Sequence, residues 1–129
     1  MLEVTFYRDD RDRVSGFLAR GHADYEDHGK DIVCAAVSAV LQAAQLGLSS
    51  HARAKVTARQ VPGELELSWA EDDGERESVR AIVATAELAV EQIARRFPKH
   101  VRLKRRRAPG SKIAGRVRPL ADRRRVHDV

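Results

Sequence analysis

The chain of 129 residues contains a single cysteine, Cys34. One cysteine cannot close a disulfide within the chain, which favours a reducing, cytoplasmic environment. It also cannot supply the paired thiolates of a typical structural zinc site, and the scattered His28 and Asp24 do not restore ligand spacing. We therefore expect no bound metal and no cofactor.

Long apolar runs and targeting signals are also missing. No apolar run approaches the roughly 20 residues that span a bilayer, so no membrane segment is expected. The N-terminus lacks the basic start of a signal peptide and continues as an alternating apolar and polar pattern. No internal repeat is evident. With 43% hydrophobic residues, a chain of this length predicts one globular domain with a core of its own.

Positive charge is concentrated at one end of the chain. Residues 104–129 hold ten Lys and Arg against two Asp, whereas residues 1–103 hold 14 basic and 17 acidic side chains. The high pI therefore belongs to the C-terminal segment, and the rest of the chain is mildly acidic. We predict a domain over 1–103, followed by a basic, flexible tail over 104–129.

Hydrophobic periodicity predicts five strands and two helices. Alternating residues predict one hairpin over 2–7 and 14–20, a second over 55–61 and 64–69, and a last strand around Val101 and Leu103. A helix is predicted from an N-cap at Asp31 to about Ser50, apolar nearly all round and therefore buried as the central core helix. A second helix is predicted from the acidic turn 72–75 to the residue before Pro98. The order ββαββαβ indicates an α+β two-layer sandwich, with a mainly antiparallel sheet covered by two helices.

Cys34 is the first candidate for a chemical role. Free cysteine is most often a small buried hydrophobe, so an inert Cys34 is one interpretation. With Asp31 as N-cap, however, Cys34 would be the third helical residue, where the helix dipole favours a thiolate and unpaired N–H groups could hold an oxyanion.

Three polar residues could assist that thiol. His22 follows a predicted strand and could fold back over the helix start as a base, although most such histidines are simply solvated. Asp31 could orient His22, but an N-cap role is favoured over it, and the two roles could coexist. Ser38 lies one turn beyond Cys34, and could bond either the thiolate or a backbone carbonyl.

These residues carry a resemblance to a known family. The run Gly21-His22-Ala23, followed over residues 29–39 by Gly-Lys-Asp-Ile-Val-Cys-Ala-Ala-Val-Ser-Ala, resembles the signature of the ribosomal-processing cysteine proteases, the Prp family. The predicted ββαββαβ order resembles that family as well. The resemblance implies a small cytoplasmic homodimer that removes an N-terminal extension from a large-subunit ribosomal protein. It also implies Cys34 as nucleophile, His22 as base, and auxiliary roles for Asp31 and Ser38.

Two further predictions accompany this interpretation. The loop from Gly21 to Gly29, with Tyr25 near its tip, is predicted to act as a lid over the substrate peptide. The basic tail is either a solvated extension or a contact to ribosomal RNA. A noncatalytic ribosome-associated RNA-binding or assembly factor is the alternative function, and reactivity of the thiol would separate the two.

Overall fold

A computed structural model of the chain describes residues 1–21 and 28–109, apart from the side chains of 28–31. Strands β1 (Leu2–Arg8) and β2 (Val14–Arg20) form the first predicted hairpin. Its turn depends on Asp9, whose Oδ1 accepts the backbone N–H groups of Arg11 and Arg13 at 2.9 and 3.0 Å. Partial burial raises the pKa of Asp9, but these hydrogen bonds and the Arg13 guanidinium outweigh it, so that the pKa lies below its usual value.

The second hairpin and the last strand complete one sheet. Strands β3 (Val56–Val61) and β4 (Glu64–Trp69) pair antiparallel across the Pro62-Gly63 turn, and β5 (Val101–Arg107) pairs parallel with β1. The strand order is β3-β4-β2-β1-β5. Three of the four pairings are antiparallel, which confirms the predicted α+β sandwich with a mainly antiparallel sheet.

Two helices lie on one face of this sheet. Helix α1 (His28–Leu46) continues into a single π-helical turn over Gly47–His51, and helix α2 spans Glu77–Arg96 after a short 3₁₀ turn over Asp73–Glu75. The core forms where alternate strand residues meet the inner stripes of both helices. Its largest fully buried side chains are Phe6, Phe17, Leu41, Leu48 and Leu67.

Helix α1 is buried along one stripe only, which corrects the prediction of a helix enclosed on all sides. Val37 and Leu41 are 0% and 1% exposed, whereas Ile32 and Leu46 are 69% and 65% exposed. A two-layer sandwich covers a helix with the sheet on one side and a neighbouring helix on a flank, so an apolar outer face stays open. Sequence alone cannot tell such a face from a buried one.

The same helix corrects the expectation about membrane segments. Ile32–His51 is long and apolar enough to cross a bilayer by length and composition alone, because Ala, Val and Leu alternate there with uncharged Gln and Ser. A helix that packs in the core of a soluble protein passes the same test. Here 28% of this apolar segment is buried, consistent with the single stripe that faces the core.

Element boundaries differ from the predicted ones, most clearly at the start of α1 and the end of β5. Helix α1 begins at His28, so Asp31 lies in its first turn and is not the N-cap. Strand β5 continues through Arg107, four residues beyond the boundary expected at 103, so the first basic residues of the predicted tail belong to the sheet. The strand is extended because every residue from 101 to 107 has a partner on β1. Residues 110–129 lie outside the described part of the chain.

Candidate active site

Cys34 lines a depression of about 200 Å³ between α1, the end of β2 and the β3–β4 turn. The thiol-bearing residue is half-buried and packs partly against the core, so it is neither sealed inside nor fully in solvent. The residues that line the depression with Cys34 are Leu2, Ala19, Gly21, Val37, Ser38, Leu41, Gln42, Gln60, Val61, Gly63, Glu64 and Leu65. A cysteine at the wall of an open concavity can meet a substrate, unlike a cysteine buried in the core.

The position of Cys34 on the helix differs from the predicted one. Since α1 begins at His28, Cys34 is its seventh residue, in the second turn. Only the first four N–H groups of a helix lack an intrahelical partner, and these belong to residues 28–31. The amide of Cys34 is therefore placed to bond a carbonyl one turn back, and the predicted oxyanion donors beside the thiol are not supplied by the helix start.

A polar stripe along α1 leads away from the thiol. Cys34, Ser38 and Gln42 follow one another at intervals of four residues, and all three line the depression. Helical side chains lean toward the N-terminus, so the Ser38 hydroxyl lies over the turn that carries Cys34. The placement of Ser38 beside the thiol thus agrees with its predicted proximity, while its chemical role stays a prediction.

Three lining residues were missed by sequence reasoning. Gln42 continues the stripe at the i+4 spacing that singled out Ser38, and the same rule could have found it. Gln60 and Glu64 lie on β3 and β4, and no local pattern connects them to Cys34. The Glu64 side chain belongs to the other face of β4, where it forms an ion pair with Arg59 at 3.2 Å, so Gln60 is the uncharged polar group that the hairpin brings to the site.

Gly21 is held in a conformation that other residues adopt only with strain. Its φ is +97°, and a Cβ there would lie 2.5 Å from the backbone oxygen of Met1. The Gly21 N–H donates to the carbonyl of Gly63 at 2.9 Å, which ties the end of β2 to the β3–β4 turn. The chain therefore leaves the sheet at a fixed point on the rim of the depression, immediately before His22.

Several predicted site residues lie outside the described part of the chain. They include His22 and Tyr25, and nothing is described of the Asp31 side chain beyond its place in α1. The predicted lid was bounded by Gly21 and Gly29. Gly29 is the second residue of α1, so only Gly21 lies outside a helix. In the described residues, no group of three or more His, Cys, Asp or Glu is placed to hold a metal ion.

Comparison with known proteins connects this geometry to a family. The family model for the cysteine protease Prp matches residues 1–102. The structure is similar to that of SMU.848 from Streptococcus mutans, with a TM-score of 0.74 and 24% identity over 83% of this chain and 95% of that one. A comparison with curated proteins gives no match.

Two structures of a named protease share the fold. The essential ribosomal processing protease Prp from Staphylococcus aureus, with a covalently linked product peptide, superposes with a TM-score of 0.69 and 22% identity. The same protease with a substrate peptide gives 0.68 and 24%. In both cases the match covers 81% of this chain and 99% of the other. These likenesses establish the fold, and the match over residues 1–102 shows that this chain belongs to the Prp family of cysteine proteases.

Proposed function

We propose that this chain is a cytoplasmic cysteine endopeptidase that removes an N-terminal extension from a large-subunit ribosomal protein precursor. The observation that carries the proposal is the position of Cys34, the only cysteine of the chain. It lies half-buried on the wall of an open depression whose rim includes Gly21, the residue immediately before His22. Membership of the Prp family supports the same assignment.

The proposed mechanism divides the chemistry between His22 and Cys34. His22 takes the proton of the Cys34 thiol, and the thiolate attacks the scissile carbonyl carbon to form a tetrahedral oxyanion. The imidazolium then protonates the leaving amine as the C–N bond breaks, which leaves a thioester on Cys34. Water, deprotonated by His22, hydrolyses the thioester and regenerates the thiol.

The oxyanion donors of this mechanism are proposed to be side chains of the depression. Cys34 is the seventh residue of α1, and the nearest uncharged polar side chain of the stripe is the Ser38 hydroxyl, one turn away, whereas Gln42 lies two turns, about 12 Å, along the axis. A hydroxyl donates hydrogen bonds and serves in oxyanion sites generally. Asp31 is retained as a proposed auxiliary residue, and the loop that follows Gly21 as a predicted lid.

Cleavage of a peptide that spans the extension junction tests the proposal. Cys34→Ala is expected to abolish cleavage, and His22→Gln is expected to lower kcat/KM about 10²- to 10⁴-fold, the usual range for loss of a general base. Ser49→Ala, an exposed residue outside the depression, is the control. Cleavage by Cys34→Ala at the wild-type rate, together with alkylation of Cys34 at the rate of an ordinary thiol, would favour the noncatalytic assembly factor.

A contact between the basic tail and ribosomal RNA is proposed in addition. Its support is the charge of residues 104–129, ten Lys and Arg against two Asp, because a polycation gains free energy when phosphates release their counterions. Replacement of Arg123, Arg124 and Arg125 by Ala should weaken association with ribosomes and flatten its salt dependence. Ribosome binding that is insensitive to this change would remove the support.

A homodimer is proposed from the uncovered apolar face of the helical layer. Between α1 and α2 lies an open groove of about 440 Å³, lined mainly by Ala, Val and Ile residues. Ile32, Leu46 and Leu88 of the same two helices are 69%, 65% and 60% exposed, and exposed large apolar side chains together with an apolar groove are typical of an interaction surface. Leu46→Lys should convert a dimer into a monomer in light scattering, whereas the exposed control Ser49→Lys should not. A monomeric wild type would contradict the proposed dimer. Fractionation of the protein with membranes would contradict the proposed cytoplasmic location.

A further inference from the structure

The face of the sheet opposite the helices has a composition unlike that of the rest of the domain. Strand alternation directs Val4 and Phe6 into the core, and therefore Glu3, Thr5 and Tyr7 to the opposite face. The register pairs these three with Arg102, Lys104 and Arg106 of β5. On the other side of β1, Glu3, Thr5 and Tyr7 pair with Arg20, Leu18 and Gly16 of β2. A depression of about 270 Å³ opens across β2, β1 and β5 on this face.

Positive charge dominates that depression. Its lining includes four cations, Arg20, Lys104, Arg106 and Arg107, and one carboxylate, Glu3. Residues 1–107, which include all of β5, hold 18 basic and 17 acidic side chains, so the excess here is local. Such a concentration of one sign of charge on one surface favours a polyanionic partner.

The internal contacts leave much of this charge available. The Glu3 carboxylate lies 3.0 Å from Lys104 Nζ and 3.9 Å from Arg102 Nη1. The hydrogen bond from the Lys104 ammonium lowers the pKa of Glu3. Arg107 donates to the carbonyl of Asp9 at 2.7 Å. Arg20 and Arg106 are exposed at the two sides of β1, and they are the side chains best placed to meet phosphates.

The arrangement of the charges suits a repeating anion. Arg102, Lys104 and Arg106 occupy alternate positions of one strand, so their Cα atoms are about 6.6 Å apart along a row of about 13 Å. The half-buried Tyr7 lies beside the row, opposite Arg106 in the register and within the same depression. A basic surface that includes an aromatic ring is the usual platform for single strands, because the ring can stack on a base while the cations follow the backbone.

Neighbouring features restrict the surface to three strands. The next strand, β4, carries Glu64 and Glu66 on this face, although Glu66 is only 5% exposed. Along the chain, β5 is followed by residues 110–129, which hold six further Lys and Arg against two Asp.

We propose that the sheet face formed by Tyr7, Arg20, Lys104 and Arg106 binds single-stranded RNA. This surface lies on the side of the sheet opposite Cys34, and the proposal does not depend on peptidase activity.

Fluorescence anisotropy with a labelled 12-nucleotide single-stranded RNA, titrated with the full chain, tests the proposal. Arg20→Ala/Arg106→Ala is expected to weaken binding about tenfold or more at 50 mM salt. The slope of log K against log salt should fall by about 1.4, since each phosphate contact to a single strand contributes about 0.7. The control is Arg80→Ala/Arg96→Ala, which removes two exposed arginines from α2. Every variant keeps residues 108–129, so the contribution of the tail is constant.

Substitutions of Tyr7 separate stacking from charge. Tyr7→Leu should weaken binding at least about fivefold with an unchanged salt slope, and Tyr7→Phe, which keeps the ring, should retain wild-type affinity. Thermal unfolding confirms that each variant is folded. If Tyr7→Leu does not fold, Tyr7→Phe still tests whether the ring without its hydroxyl keeps the affinity. Equal weakening by the α2 control pair would overturn the proposal, as would wild-type binding by Arg20→Ala/Arg106→Ala. If a peptide of 12 glutamates displaced the labelled RNA as well as unlabelled RNA does, the surface would be assigned to an acidic peptide and the proposal would be overturned.

Discussion

Glu87 provides the sharpest test of how the sheet and helices are held together. Its side chain is 9% exposed and lies between Arg8 of β1 and Arg105 of β5. The Arg8 Nη2 atom donates to both carboxylate oxygens, at 3.2 and 3.0 Å, and Arg105 Nε donates at 2.6 Å. Helix α2 is thus bonded to two neighbouring strands through a single carboxylate.

Glu87→Gln should destabilise the fold because it removes the nearest anion of two guanidinium groups. Among the described residues, Arg8 then keeps only Asp12 and Arg105 only Glu91, each at 3.8 Å. Breaking a buried pair costs about 3–5 kcal/mol, but Arg8 and Arg105 are 26% and 41% exposed, so water recovers part of that cost. We expect a loss of about 2 kcal/mol in the free energy of unfolding, which for a domain of this size lowers Tm by about 6–10 °C.

Urea denaturation at neutral pH measures the effect, and Glu75→Gln is the matched control. Glu75 also contacts two arginines, Arg11 at 3.1 Å and Arg13 at 3.5 Å, but its side chain is 54% exposed. A surface pair of this kind contributes less than about 1 kcal/mol, and the difference should widen in 1 M salt, which screens the exposed pair more strongly. If Glu87→Gln cost no more than Glu75→Gln, burial would not be what makes the Glu87 contacts important.

Two further predictions concern backbone conformation and pH. Gly21→Ala should lower the free energy of unfolding by about 1–3 kcal/mol, since alanine at a φ of +97° is strained and its Cβ would contact a backbone oxygen. Gly74→Ala, where the atom nearest to the new Cβ would be 3.8 Å away, should be nearly neutral in the same urea assay. Equal effects of the two substitutions would contradict the strain argument. The pKa of Asp73 is lowered, first by the Lys55 N–H that donates to it at 2.8 Å and then by Arg76. Its contribution to stability is therefore present above the unfolded pKa, near 3.8, and is lost as pH falls through the lower folded value. The stability difference between the wild type and Asp73→Asn should shrink in that acid range in pH-dependent thermal melts, with Asp72→Asn, at an exposed position beside the same turn, as the control.

Local patterns predicted the elements because each pattern is a direct consequence of backbone geometry. Alternation in Leu2, Val4 and Phe6 predicted β1, and the Pro62-Gly63 dipeptide predicted the turn between β3 and β4. Helix boundaries were less predictable. Asp31 has the side chain of an N-cap, yet α1 begins at His28, because a capping residue type marks a possible start and does not exclude an earlier one.

The surroundings of Cys34 were only partly predictable for a related reason. Ser38 could be placed beside the thiol, because i and i+4 residues of a helix share a face. Gln60 and the Gly21–Gly63 hydrogen bond depend on how the second hairpin pairs with β2, which is a contact between distant parts of the chain. No pattern within a short window carries that information.

The sequence by itself determined the strands, the two helices, the family resemblance, and the choice of Cys34 and His22 as the residues to test. Only the tertiary structure decided which surface each residue occupies. It opened the outer face of α1 to solvent, although the sequence suggested burial, because a two-layer fold encloses a helix on one side only. It also incorporated Lys104 and Arg106 into β5, because pairing with β1 extends the strand into a segment whose charge alone is typical of a tail.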